Sequence, residues 1–138
     1  MRLWDYRLIP VLPTKMLVSQ WRECIAIKRE WEKDVLNHKL VNYVMYHDKD
    51  CFMSYITMLV SEMINRDIKY NNKYYNEIAD FCDSDATDFS YYPEHNNRYL
   101  QQCYYNLQEK ADREIITKDE WQLIHERVLN ILTGREEI

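Results

Sequence analysis

Glycine is almost absent from this chain: Gly134 is the only one among 138 residues, and there are three prolines. Loops that cradle phosphate groups need several glycines at fixed spacing, because the backbone must approach the phosphate closely. Tight β-hairpin turns favour glycine for its positive φ angles. The sequence therefore argues against Walker-type and dinucleotide-binding folds, and against a many-stranded sheet.

Apolar residues recur every three or four positions in several long stretches, which is the spacing of an amphipathic helix. Pro10 and Pro13 should keep residues 1–13 extended rather than helical. Thr14 is predicted to cap a first helix that ends at residues 37–38. The apolar stripe of this helix consists of Leu17, Trp21, Cys24, Trp31 and Val35, with Lys28 filling one turn.

Two more helices are predicted in the middle of the chain. Asp48 should cap a helix over residues 49–66, which follows an extended or single-turn connector at 40–46. A short helix should cover residues 73–82. The inward residues are predicted to be Phe52, Tyr55, Ile56, Leu59, Met63 and Ile64 in the first of these, and Tyr74, Ile78 and Phe81 in the second.

The last third of the chain predicts two long helices. Pro93 suits the first turn of a helix over residues 93–111. Thr117 and Glu120 form a capping box for the final helix, and Gly134 is a natural stop. Their apolar stripes are Tyr99, Leu100, Cys103 and Leu107, then Trp121, Ile124, Val128 and Leu132 or Ile131. The prediction is an all-α, compact, single-domain bundle over 1–138, with about four main helices and an extended N-terminal segment.

Targeting and redox signals point to the cytoplasm. No apolar run approaches the roughly 18–20 residues of a membrane span, and the start of the chain lacks the pattern of a secretory signal. The cysteines form no C-x-x-C pair, so we expect reduced and mostly buried thiols rather than disulfides or a zinc site. They are Cys24, Cys51, Cys82 and Cys103.

The net charge of −5 argues against a general nucleic-acid binder. Neutralisation of phosphates dominates affinity for duplex DNA, so such proteins usually carry a basic surplus. A DNA-binding role would require the arginines and lysines of this chain to be concentrated on one face.

The first two dozen residues hold a pair of groups suited to imine chemistry. Arg2 is a bulky second residue that disfavours methionine removal, so Met1 should keep its α-amine. Such amines titrate roughly two units below lysine, which leaves a usable neutral fraction to attack C1′ of a deoxyribose. Glu23, beside Arg22 on the first helix, could remove the C2′ proton or stabilise the cationic intermediate. From spacing alone, a solvated helix glutamate is the more common interpretation.

Several stretches carry a resemblance to a known family. They are MRLW, LIPVLP and LVSQWRE near the start, HKLVNYVMYH at 38–47, ITMLVSEMINRDI at 56–68, and YPEHNNRYLQQCYYNLQEK at 92–110. In order and spacing they resemble the pyrimidine-dimer DNA glycosylase family of the endonuclease V type, and especially its uncharacterised bacterial relatives. The resemblance implies an all-α DNA glycosylase with abasic-site (AP) lyase activity on damaged duplex DNA. It implies no metal and no cofactor.

The resemblance also assigns roles to particular residues. It implies that the nucleophile is the α-amine of Met1 and that Glu23 is the catalytic acid/base, with Arg2 and Arg22 beside them. The phage enzymes of the family differ in exposing a threonine amine, in carrying a histidine where this chain has Met16, and in carrying an arginine where it has Ala26. Those enzymes are also basic. The residues needed for catalysis match, whereas those that grip a dimer do not.

Histidines and aromatic residues are further candidates for a binding site. His38, His47 and His95 could line a pocket, because histidine titrates near neutral pH, although such residues more often pack or cap helices. Trp21 is a further candidate substrate contact. Aromatic rings stack on bases, and the tyrosines are numerous, although core positions are more common for them. The candidates are Tyr91, Tyr92, Tyr99, Tyr104 and Tyr105, with Trp4 and Trp21, and we expect Tyr91 and Tyr92 to be the exposed pair.

The acidic loop at 80–90 partly matches a calcium-binding pattern. Asp83, Asp85, Thr87 and Glu94 fall at the first, third, fifth and twelfth positions of that pattern. Its sixth position should be glycine for a sharp turn and is Asp88 here, so a solvated loop is the preferred interpretation and no metal is expected.

Three functional hypotheses therefore remain. The first is a DNA glycosylase/AP lyase, which predicts a basic patch made by Arg2, Arg7, Arg22, Lys28 and Arg29. The second is a non-catalytic protein that binds a nucleotide or a small nucleic-acid-derived ligand, which suits the acidic charge and the many tyrosines. The third is a helical interaction module. Neither membrane association nor a particular oligomeric state is indicated.

Overall fold

The protein is described here by a computed structural model that covers residues 1–84 and 88–135. Within those ranges the secondary structure is entirely helical, which confirms the all-α prediction. The α-helices are α1 (Thr14–Glu32), α2 (Lys49–Asn65), α3 (Asn72–Cys82), α4 (Asn97–Asp112) and α5 (Lys118–Leu132). Two 3₁₀ helices cover Tyr6–Val11 and Asn42–Tyr46. No helix in the described ranges is long and apolar enough to cross a membrane.

Helix α2 lies at the centre of the bundle. It packs against α1, α3 and the first 3₁₀ helix, while α4 and α5 form a helical hairpin that contacts the same 3₁₀ helix through α5. Phe52, Ile56 and Leu59 of α2 are wholly buried. Burying each such side chain contributes about 1.5–3 kcal/mol. The first 3₁₀ helix therefore joins the two halves of the bundle.

The first 3₁₀ helix corrects the prediction that residues 1–13 are extended throughout. Tyr6–Val11 form this helix with Pro10 inside it. A proline is tolerated here because a helix of six residues has few internal hydrogen bonds to lose. Asp5 caps it by accepting a bond from the backbone N–H of Arg7. Only residues 1–5 remain extended ahead of it.

The four long helices end in the same way, although the chain has a single glycine. Each is followed by a residue with positive φ, and the next N–H reaches back to the carbonyl five residues earlier, as in a Schellman motif. The residues with positive φ are Asp34 (58°), Asp67 (58°), Glu114 (61°) and Gly134 (72°). The stop at Gly134 was predicted. The other three were missed because carboxylate residues occupy the position that glycine usually fills.

The stop at Asp34 corrects the predicted end of α1. The helix finishes at Glu32 rather than at residues 37–38, and the N–H of Val35 bonds to the carbonyl of Glu30 at 2.9 Å. Val35, predicted to be inward, is 60% exposed, whereas Leu36 is buried. The reversal of the chain at Asp34 changes which of the following side chains faces the core.

Two further predictions about α2 and α4 were wrong. Helix α4 begins at Asn97 rather than at Pro93, because the Asn96 side chain caps it by accepting from the N–H of Tyr99 at 3.0 Å. Ile64, near the end of α2, is 60% exposed instead of inward.

The predicted caps at Asp48 and Thr117 are confirmed, whereas the one at Thr14 was wrong: Thr14 is the first residue of α1 after Pro13, and no side-chain hydrogen bond caps that helix. Asp48 caps α2 by accepting from the N–H of Asp50. Thr117 and Glu120 form the predicted reciprocal box at the start of α5, with bonds of 2.9 and 3.1 Å. The four cysteines are buried and unpaired, as expected.

Candidate active site

Residues 1–5 lie extended across the bundle, and side chains from other elements satisfy their backbone. Gln20 of α1 accepts from the N–H of Trp4 at 2.8 Å and donates to the carbonyl of Arg2 at 2.9 Å. Tyr55 of α2 donates its hydroxyl to the carbonyl of Trp4 at 2.6 Å. Gln20 and Tyr55 are almost completely buried. The segment therefore takes its position from side chains rather than from a neighbouring strand.

Two side chains from the far end of the sequence complete this attachment. The hydroxyl of Tyr99 in α4 donates a short hydrogen bond to the carbonyl of Leu3. The N–H of Tyr6 donates to Nδ1 of His95 at 3.2 Å, and Nε2 of the same ring lies 2.5 Å from the hydroxyl of Tyr43. The start of the chain is thus bonded to α1, α2, α4 and the turn before α4.

Glu23 lies one turn along α1 from Gln20 and is half-buried. Nε2 of Gln20 donates to Oε2 of Glu23 at 3.1 Å. Burial raises the pKa of Glu23 above its ordinary value, while the positive α-amino group of residue 1 and a hydrogen bond from the backbone of Arg2 lower it. The amine is therefore close enough for its charge to influence this carboxyl. The structure brings Met1, Arg2 and Glu23 together at one site.

The site opens to solvent. Met1 is 42% exposed, and Arg22, next to Glu23 on α1, is also exposed. The guanidinium of Arg2 is half-buried, 6.0 Å from the ring centroid of Trp4 and 5.8 Å from that of Tyr99. An exposed amine next to a half-buried carboxyl, with two arginines close in sequence to them, can admit a substrate much larger than a metabolite.

Only part of the predicted basic patch is available. Lys28 is buried, and its ammonium pairs with Glu32 at 3.1 Å. Arg7 forms a salt bridge of 3.0 Å with the wholly buried Asp5. Both cations therefore neutralise the protein's own carboxylates. Arg29 is exposed, with its guanidinium 5.1 Å from the ring centroid of Tyr74.

Two of the predicted substrate contacts are core residues. Trp21 is 5% exposed and meets the ring of Tyr70 edge-on at 6.1 Å. His95 is also 5% exposed, and burial lowers its pKa to about 4, partly offset by the nearby carboxylates of Asp5 and Glu94. Trp21 and His95 therefore belong to the core that packs beneath the site.

The other two predicted histidines lie on separate parts of the surface. His47 contacts the carboxylate of Glu94 at 2.9 Å. His38 is exposed, 3.5 Å from a carboxylate oxygen of Glu30. Glu30 is about two helical turns from Glu23, roughly 10 Å along the axis. No contact joins either histidine to the amine and Glu23 among the described residues.

An extended groove on the surface lies away from Glu23. It is an open, mostly apolar groove of about 630 Å³ between the first 3₁₀ helix, α2 and the segment at 89–91. The rings of Tyr6 and Tyr91 stack in parallel there at 4.3 Å, and Phe89 continues the stack at 6.2 Å. Tyr91 is exposed as predicted, but Tyr92 is 2% exposed and belongs to the core.

Residues 1–84 and 88–135 contain no group of three or more histidine, cysteine, aspartate or glutamate side chains that is arranged to hold a metal ion. The calcium-loop pattern cannot be followed, because Asp85 and Thr87 lie outside the described residues. Asp83 is exposed and ends α3 with a φ of 44°.

Gln20 is the residue of the site that the sequence interpretation missed. It is 1% exposed, three residues after Leu17 and four before Cys24, both wholly buried. A polar residue at a core position of a helix signals a buried hydrogen-bond network, because an unpaired amide there would be costly.

Comparison with known proteins gives one match. The family model described as pyrimidine dimer DNA glycosylase matches residues 1–76. This region holds the extended segment, α1, α2 and every residue that forms the amine and Glu23 site apart from Tyr99 and His95. No curated protein and no solved structure matches significantly.

Proposed function

Because this chain belongs to the pyrimidine dimer DNA glycosylase family, we propose that it is a DNA repair glycosylase and AP lyase that acts on damaged duplex DNA through an imine formed by its α-amino group. The observation that supports this most directly is the electrostatic interaction between the amine of residue 1 and the half-buried Glu23. A nucleophile and an acid/base at one exposed site are the minimum that this chemistry requires.

The proposed reaction begins with attack of the neutral amine on C1′ of the damaged nucleotide. The bond from C1′ to the base breaks, and the base leaves with its electron pair and gains a proton. The C1′–O4′ bond then breaks, the nitrogen loses a proton and O4′ gains one, which yields an imine at C1′ of the opened sugar. Removal of a C2′ proton then expels the 3′ phosphate by β-elimination and cuts the strand. Water finally hydrolyses the imine and frees the enzyme.

Glu23 is proposed to move protons in these steps. Burial raises its pKa, which brings the carboxyl closer to the range in which it can both accept and return a proton. When ionised, it also stabilises the cationic intermediate at C1′. The amine's positive charge opposes the effect of burial, so conversion of that amine to a substrate imine alters the electrostatic environment of Glu23 during the reaction.

Arg2 and Arg22 are proposed to contact the phosphates on either side of the lesion. Arg22 is exposed, and Arg2 is held between aromatic rings at the edge of the site. With a net charge of −5 and two expected cations engaged internally, binding should be weaker than for a basic protein, and its salt dependence should be shallower because fewer phosphates are neutralised.

The direct test is reductive trapping of the imine. Protein with a verified free amine at residue 1 is mixed with abasic-site and UV-dimer duplexes at low salt, and cyanoborohydride is added. We expect a covalent adduct that maps to Met1, and strand cleavage that is lost in Glu23→Gln. Glu126→Gln, an exposed glutamate of α5, is the matched control and should cleave normally. A folded wild-type protein that forms no adduct, alongside a working control enzyme, would rule out the proposal.

A second candidate function is binding of a nucleotide or a small nucleic-acid-derived ligand without catalysis. The specific observation that favours it is the open groove of about 630 Å³ with its stacked Tyr6, Tyr91 and Phe89 rings. This volume is within the range of small-molecule sites. Thermal shift with a nucleotide set tests it: stabilisation that Tyr91→Ala removes, with no strand cleavage by the wild type, would favour this function over the lyase.

A further inference from the structure

We infer that Gln20 is a positioning residue of the amine and Glu23 site, because its one amide fixes both the extended segment that carries the amine and the carboxylate that the amine must work with. This inference deepens the proposed lyase function and rests on it. Gln20 itself is buried and does not reach the substrate, so it acts through Glu23 and through the backbone of residues 2–4.

The amide of Gln20 uses both of its ends. Oε1 accepts from the N–H of Trp4 at 2.8 Å and lies 3.2 Å from the hydroxyl of Tyr55. Nε2 donates one hydrogen to the carbonyl of Arg2 at 2.9 Å and the other to Oε2 of Glu23 at 3.1 Å. The N–H of Trp4 can only donate, so the orientation of the amide is determined and Nε2 must face the carboxylate.

This arrangement links the position of the amine to the position of the Glu23 carboxylate, which would otherwise vary independently. The carbonyl of Arg2 is one residue away from the amine-bearing Met1, so a bond to it restricts where the amine lies. The bond to Glu23 selects one carboxylate orientation on the same side of α1. No other described side chain is hydrogen-bonded to both the extended segment and Glu23. Precise placement of reacting groups is worth large rate factors in enzymes.

The second consequence concerns the charge of Glu23. A hydrogen bond donated to a carboxylate favours its ionised form. The other groups that act on this carboxyl are the α-amino group, the backbone N–H of Arg2, and the buried Cys24 thiol next to it on α1. Helices α2 and α4 contribute the hydroxyls of Tyr55 and Tyr99 to the same network, and these contact the extended segment. Removing the donor on Gln20 should therefore make Glu23 titrate at higher pH.

The test compares Gln20→Met with Tyr92→Phe. Methionine is close to glutamine in length and has no donor. Tyr92→Phe is the matched control, because it removes a buried hydrogen bond to the carbonyl of Val44 but none to Gln20, Glu23 or the extended segment. The first readout is the midpoint of Glu23 titration by carbon-detected NMR, without DNA. The second is the single-turnover rate of imine trapping on an abasic duplex, measured as a function of pH. The duplex concentration that gives half of the maximal trapping rate is measured as well.

We expect Gln20→Met to raise the midpoint of the Glu23 titration by about half a pH unit or more. The acidic limb of the pH profile of the trapping rate should also move to higher pH. The maximal trapping rate should fall about tenfold or more, with little change in half-saturation. Tyr92→Phe should lower thermal stability and leave both the midpoint and the pH profile where they are in the wild type. If Gln20→Met shifts neither the midpoint nor the limb, or if Tyr92→Phe shifts them equally, the inference is wrong.

Two further outcomes separate this inference from the proposed function. If the wild type forms no adduct but Gln20→Met still shifts the Glu23 midpoint, Gln20 positions the carboxylate and the lyase proposal alone fails. If Gln20→Met does not fold, the inference is tested with Gln20→Glu instead. It keeps the length and the acceptor but sets a second carboxyl against Glu23, so the pair should share a proton and titrate at higher pH. An unshifted midpoint in that variant would overturn the inference.

Discussion

Acid should destabilise this protein through one buried histidine. His95 is 5% exposed, and its Nδ1 accepts a hydrogen bond from the N–H of Tyr6 at 3.2 Å. A backbone N–H can only donate, so Nδ1 carries no proton and the ring is neutral. Protonation would force Nδ1 to become a donor against another donor, inside the core. It would break the bond that ties the end of the extended segment to the turn before α4.

The size of the effect follows from the pKa. Burial lowers the pKa of His95 to about 4, against 6.5 for an unperturbed histidine. Between these values the unfolded chain binds a proton that the folded protein does not. The stabilisation is therefore complete above about pH 6.5 and is lost as the pH falls towards 4. A gap of this size corresponds to about 3 kcal/mol in the free energy of unfolding.

Urea denaturation between pH 4 and pH 7.5 measures this directly. His95→Asn keeps an acceptor close to the position of Nδ1 and does not titrate. It should be less stable than the wild type at neutral pH, but its stability should fall less steeply on acidification, by up to about 1.4 kcal/mol per pH unit. His38→Asn replaces an exposed histidine and should retain the wild-type slope. Parallel stability curves for the wild type and His95→Asn would refute the reasoning.

Three substitutions test the helix ends by thermal denaturation. Glu114 has a φ of 61°, which strains a residue other than glycine, so Glu114→Gly should stabilise the protein by about 0.5–1 kcal/mol. Glu109→Gly inside α4 should instead cost about 1 kcal/mol. Equal effects of the two substitutions would contradict this argument. Thr117→Ala removes the capping box and should cost about 1 kcal/mol, and no loss would mean that the box is redundant. Arg66→Met leaves three carbonyls of the first 3₁₀ helix and its end without their guanidinium donor and should cost about 2–3 kcal/mol, more than Arg66→Lys, which keeps a cationic donor; an equal loss in the two would show that the charge contributes nothing without the guanidinium geometry.

The sequence predicted the parts of the fold whose causes are local. Thr117 and Glu120 are three residues apart and satisfy each other, so their pattern alone determines the start of α5. Pro93 failed as a helix start because proline only permits a first turn, whereas the side chain of Asn96 actively bonds to Tyr99. Periodicity likewise continued past Asp34, since a left-handed aspartate leaves no clear mark in the sequence.

The candidate site, too, could be predicted from the sequence only in part. Glu23 and its place on α1 could be assigned from the sequence and the family resemblance, but its closeness to the amine depends on contacts that span the chain. The bond from Tyr99 to Leu3 joins residues 96 positions apart. The salt bridges of Arg7 with Asp5 and of Lys28 with Glu32 could not be predicted from the sequence either, because such pairing depends on how the chain folds. Counting charges could not show which cations remain free for DNA.

The attachment of residues 2–6 also sets the order in which a growing chain can become active. Gln20 and Tyr55 emerge from the ribosome early, but His95 and Tyr99 are made only after 94 and 98 other residues of this sequence. Until then Leu3 and Tyr6 have no native partners for these backbone groups. An unfinished chain would therefore hold its first residues through Gln20 and Tyr55 but not yet at Leu3 and Tyr6. Under the proposed lyase mechanism, the complete site would form late in synthesis, when the helical hairpin of α4 and α5 docks.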